Sequence, residues 1–69
     1  MLKVSKIWLT GSAVWIRTSD GREGSEPFAR YPRLQKATEK ERSTYECTPM
    51  GIHWPLIDED LSYEGFLRQ

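Results

Sequence analysis

His53, Cys47 and the acids between Asp58 and Glu64 are the residues of this 69-residue chain best suited to chemistry. A His moves protons usefully when a second group orients it and a nucleophile or substrate is in reach. This chain has one His and one Cys, with Pro49 and Gly51 between them and no nucleophile motif around the Cys. A working Cys–His pair also needs an orienting third residue. A lone Cys more often behaves as a small buried hydrophobe, and that is the expectation for Cys47. His53 alternates with Ile52 and Trp54 along a strand pattern, so it should face solvent or hydrogen-bond to the backbone.

Asp58, Asp60, Ser62 and Glu64 alternate like the start of a calcium loop. An EF-hand loop needs Gly at its sixth position and Glu at its twelfth. Tyr63 and Gln69 stand there instead. One His and one Cys do not make a four-ligand zinc site. The acids therefore read as a solvated turn that caps a final helix. The expectation is a protein without metal, cofactor or catalytic residues, and not an enzyme.

Charge narrows the partners. Lys and Arg total 10 and Asp and Glu total 10, so nothing draws the whole chain to nucleic acid or acidic lipid. Arg30, Arg33, Lys36 and Lys40 do lie close in sequence, with Tyr31 among them. A basic strip with an aromatic can hold a single strand. Glu39, Glu41 and Glu46 dilute it, and a mixed helix face is usually just solvated. A nucleic-acid-associated adaptor is thus the second reading. A single cysteine allows no internal disulfide and fits a reducing compartment. No stretch approaches the roughly 20 apolar residues that span a bilayer. These features read as a soluble, cytoplasmic protein.

The elements that must position these residues are short. "KVSKIWL" and "AVWIRTS" are rich in β-branched and aromatic residues, and Gly11-Ser12 separates them. Asp20-Gly21 tolerates the positive φ of a tight hairpin turn. A weaker third strand runs through "REGSEPF", with Gly24 inside it and Pro27 near its end, as suits an edge or a bulge. Pro32 suits the first turn of a short helix. Thr38 to Glu41 is a capping box, which predicts a helix from about Glu39 to Glu46. Pro32, Leu34, Ala37 and Tyr45 are its expected contacts with the sheet. "IHWP" is a short fourth strand ended by Pro55, "IDEDLS" a turn, and "YEGFLRQ" a last helix capped by Ser62 or Asp60. The fold class is α+β: one domain over residues 1–69, with a three-stranded antiparallel meander, a helix, a short fourth strand and a short C-terminal helix.

Trp8, Trp15 and Trp54 come from three different strands. They either share the core or anchor an interface, where Trp is over-represented. In so small a domain a helix pair covers only one sheet face, and an open aromatic face is a docking surface. Trp8, Trp15, His53 and Trp54 are the candidate partner-contacting residues.

The stretch "GIHWPLIDEDLSYEGFL" closely resembles the C-terminal motif of a small bacterial family, domain of unknown function 2442. "VWIRTSDGREGSEPFARYPRLQKATEKERSTYE" resembles its strand, Asp-Gly turn, "PRL…AT" and helix. The approach "ECTPMGIH" departs from the pattern. The resemblance implies a small α+β fold without established catalytic activity. Members are often encoded beside another small family, domain of unknown function 4160, which suggests an antitoxin-like role with that family as partner. A protein-binding module is the leading expectation, and a second copy of the chain is a further candidate partner. Ile52, Trp54 and Ile57 should pack on the meander, and Leu61, Phe66 and Leu67 should pin the last helix.

Overall fold

The structure, a computed structural model, describes residues 3–68. Strands β1 Val4–Leu9, β2 Ala13–Thr18 and β3 Glu23–Pro27 form an antiparallel meander in the order β1-β2-β3. At the first turn the Thr10 N–H donates to the Ala13 carbonyl at 2.9 Å. Its hydroxyl accepts from the Ser12 and Ala13 N–H groups. At the second turn Gly21 has φ +92°, a conformation that explains the Asp-Gly pair. The Thr18 hydroxyl donates to the Asp20 carboxylate and holds that carboxyl below its ordinary range.

The meander's two faces follow from the period of two. Val14 and Ile16 are fully buried, with Leu9 and Ile7 opposite them. Trp15 and Arg17 point the other way, with Trp8 and Lys6 opposite them. β3 is an edge strand, as its Gly and Pro implied.

A single 3₁₀ turn, Phe28–Arg30, leads into α1 Pro32–Lys36 and α2 Glu39–Ser43. Pro32 sits at the start of α1. The capping box is formed: the Glu41 N–H donates to Thr38 Oγ1 at 3.1 Å, and the Thr38 N–H donates to Glu41 Oε1 at 2.8 Å. The helix ends at Ser43, however, short of Glu46. The Ser43 and Thr44 hydroxyls donate to the Lys40 carbonyl at 3.1 and 2.7 Å. Side chains of this kind compete with the backbone ladder and favour helix ends. Among the expected helix contacts, Leu34 is fully buried, Ala37 and Tyr45 are half-buried, and Pro32 is exposed.

Beyond α2 the chain departs from expectation. A second antiparallel sheet forms from β4 Glu46–Cys47, β5 Gly51–Trp54 and β6 Glu59–Ser62, in the order β4-β5-β6. The fourth strand is not isolated, and the expected turn is confined to residues 55–58. It closes with Asp58 at φ +52°. Asp tolerates that region better than most residues. Glu59 to Ser62 then pair with β5 instead of remaining in the turn. α3 Tyr63–Leu67 follows, and Ser62 Oγ accepts the Gly65 N–H at 3.4 Å as its cap.

Both sheets turn one face to a single core of Val14, Ile16, Phe28, Leu34, Ile52, Trp54, Leu61, Tyr63 and Phe66. Ile57 packs against it, while Leu67 is half-buried. Arg42 ties the helices to this core. Its guanidinium donates to the Leu34 and Gln35 carbonyls at 2.8 and 3.0 Å and lies over the Phe28 ring at 4.3 Å. Its own carbonyl accepts the Trp54 indole N–H at 2.8 Å.

Two glycines let backbone meet backbone. A Cβ on Gly24 would fall 2.1 Å from the Phe66 carbonyl oxygen, so α3 can lie directly on β3 only because no side chain intervenes. A Cβ on Gly51 would fall 2.1 Å from the Leu61 carbonyl oxygen. Gly11, by contrast, has open space around it. Gly24→Ala should therefore lower stability by about 2–3 kcal/mol, while Gly11→Ala should stay within about 0.5 kcal/mol of wild type. Urea unfolding checks this, and equal midpoints for the two variants would contradict the close packing.

Candidate partner-docking site

The outer face of the meander is built by register. Trp8 and Trp15 are direct cross-strand partners, and their rings stack at 5.8 Å between centroids and 11° between planes. Such a pair contributes about 0.5–1.5 kcal/mol beyond its area burial. Lys6 Nζ lies 5.4 Å and Arg17 Cζ 5.5 Å from the Trp8 ring centroid. Each contact of this exposed kind contributes about 0.5–1 kcal/mol. Arg17 is also bound by Glu23 across the strand pair, at 2.6 Å. Neither Trp8 nor Trp15 belongs to the core or flanks it. Lys6, Arg17 and Glu23 beside them are exposed. The face thus presents two indoles held parallel, with cations at one end. α3, which covers β3 at Gly24, lies on the opposite, core-facing side.

The other candidates scatter. Trp54 is fully buried and its indole N–H is engaged by Arg42, so it is a core residue and not a surface contact. His53 stands on the outer face of the second sheet. Its Nδ1 lies 2.8 Å from Asp60 Oδ1, and Glu46 is its cross-strand neighbour on the other side. His53 thus faces outward, as its alternation with Ile52 and Trp54 implied, and its partner is a side-chain carboxylate and not the backbone. Asp60 consequently does not cap α3. Cys47 pairs with Ile52, one step out of phase with Glu46 and His53, so it points to the other face of the sheet. It is exposed and not buried as expected, and it lies on the edge strand β4. Cys47 and His53 are therefore not brought together. Among the described residues no group of three or more His, Cys, Asp or Glu side chains is placed to hold a metal ion.

The basic strip is broken up. Arg30 Nη1 donates to Glu26 Oε1 at 3.0 Å, and Arg33 Nη1 donates to the Asp58 carbonyl at 2.7 Å. Lys36 and Lys40 are exposed on separate helices. Sequence spacing placed these four residues on one helical surface, but the break at Ala37-Thr38 divides it.

Glu26 is a functional-looking residue that sequence reasoning passed over. It is buried, at 4% exposure, and also accepts the Tyr31 hydroxyl at 2.9 Å. Its position on the inward phase of β3, opposite Val14, was the available signal. A buried carboxylate needs such partners. Burial, and then the Glu26 carboxylate, push the Tyr31 phenol above its ordinary 10.0.

The geometry defines a small α+β domain of two three-stranded sheets around one core, with an aromatic and cationic outer face. Residues 5–69 match the model of the family described as "Protein of unknown function (DUF2442)", and the chain belongs to that family. No curated protein and no solved structure matches it. Among the described residues, no helix is long and apolar enough to cross a membrane.

The raised Tyr31 pKa has a pH consequence. The folded state holds this proton more tightly than the unfolded state does, so its contribution is complete below pH 10.0 and is lost as pH rises through the raised value. Urea midpoints measured across the alkaline range should fall above that pH, and Tyr31→Phe should reduce the fall. Tyr63, raised by burial and by Cys47, accounts for part of the remainder. An unchanged alkaline profile in Tyr31→Phe would contradict the assignment.

Proposed function

We propose that the chain is a non-catalytic protein-binding module that meets a small partner protein through the outer face of the meander. The observation that carries this reading is the Trp8–Trp15 stack on the side of the sheet turned away from the core. Two large indoles held rigid by register lose little conformational entropy on binding, which is why such residues dominate interface energetics. The separation of Cys47 and His53 onto opposite sheet faces supports the non-catalytic part. The engagement of Arg30 by Glu26 and of Arg33 by Asp58 favours this reading over a nucleic-acid adaptor working through residues 30–40.

The partner is a small protein of the domain of unknown function 4160 family, and the chain neutralises it as an antitoxin does. This part of the proposal rests on the family's gene pairing, set beside an open face suited to a protein surface. The site of action is the cytoplasm.

Co-expression with a small protein of that second family tests it. Wild type should co-purify with that partner and relieve any growth arrest that it causes. Trp8→Thr with Trp15→Thr should fold, because Trp54 and the core are untouched, yet lose at least ten-fold in affinity, about 1.4 kcal/mol. A folded double variant that captures the partner as well as wild type would move the interface elsewhere.

A further inference from the structure

The net charge of zero conceals a separation. The first 37 residues carry seven Lys or Arg against three Asp or Glu, and the remaining residues carry three against seven. The fold turns this into two unlike surfaces. The meander's outer face carries Lys6, Trp8, Trp15 and Arg17. The second sheet's outer face carries the row Glu46–His53–Asp60, one residue from each strand. The inner faces of both sheets share one core, so the two outer faces look away from each other.

We infer that the meander face of one copy docks on the Glu46–His53–Asp60 row of a second copy, giving a weak head-to-tail association. Charge complementarity selects this occupant. Lys6 has no carboxylate partner among the described residues, whereas Arg17 is already balanced by Glu23. Glu46 and Asp60 are both exposed and flank His53 on the two neighbouring strands. Lys6 of one copy thus meets two carboxylates of the next, with the half-buried indoles beside it adding apolar contact. The faces point apart, so the contact does not close on two copies and growth continues with concentration. Because the contact uses the face assigned above to the partner protein, self-association holds the module in reserve until a tighter partner displaces the second copy. That regulatory consequence rests on the proposed function, while the association itself does not.

Sedimentation of the purified chain, with no partner present, tests it. The mass should start at the 8.1 kDa of one chain and rise with concentration at low salt. It should return to one chain at about 1 M salt, where the screening length is only about 3 Å. Two variants divide the contact. Lys6→Glu with Trp15→Thr spoils the meander face alone. Glu46→Lys with Asp60→Asn spoils the acidic row alone and keeps an acceptor for His53. Each variant should remain a monomer by itself, with circular dichroism confirming its fold. Mixed, they should form a one-to-one complex and nothing larger, since each retains the face the other lacks. A wild type that stays monomeric at every concentration, or folded variants that do not combine, would overturn the proposal. So would an oligothymidylate probe that binds the wild-type face, is lost in Lys6→Glu/Trp15→Thr, and finds no self-association to compete with. A failure here leaves partner capture to be judged by its own assay.

Discussion

The approach of α3 to β3 at Gly24 is the constraint on which the rest of the structure depends. The Phe66 carbonyl occupies the space where any other residue would carry a Cβ. That contact places Phe66 in the core and brings the second sheet, continuous with α3 through Ser62, against the meander. A short domain buries a modest share of its surface, so it must use every close contact. Trp54, Phe28 and Phe66, the largest fully buried side chains, come from β5, the 3₁₀ turn and α3. No two of them come from the same element, and the core is therefore a single cooperative unit.

The same packing explains why the meander's outer face is open. The inward phase of β2, Val14 and Ile16, is covered by the second sheet and the helices, while on the outward phase Arg17 is exposed and Trp15 half-buried. The two indoles shelter each other by stacking, and Lys6 and Arg17 close over one end. Both indoles are half-buried and are kept in a defined geometry on the outer face.

Sequence patterning made much of this legible. β-Branched and aromatic alternation, Gly11-Ser12 and Asp20-Gly21 revealed the meander, and Thr38 to Glu41 revealed the start of α2. The second sheet was hidden for a physical reason. Glu46-Cys47 and Glu59–Ser62 carry almost no apolar alternation, and they are strands only because β5 offers them hydrogen bonds. Gly24 read as a weak point when its real meaning was a close approach from a residue more than forty positions away. The roles of Arg42 and Glu26 are likewise tertiary: one caps α1 and receives Trp54, the other is buried between Arg30 and Tyr31. Of the candidate site, Trp8 and Trp15 were legible as aromatics of neighbouring strands. That they stack together on the outer face, while Trp54 lies inside, depends on register and on which face the core claims.

The three indole N–H groups offer the most direct test of the docking assignment. Each gives its own signal in a proton–nitrogen correlation spectrum, and Trp54 serves as an internal reference because it is buried and bonded to Arg42. On titration with the small partner protein, the Trp8 and Trp15 signals should shift or broaden together while that of Trp54 holds its position. A spectrum in which Trp8 and Trp15 stay fixed, while residues of the second sheet respond, would contradict the claim that the meander's outer face is where this domain binds.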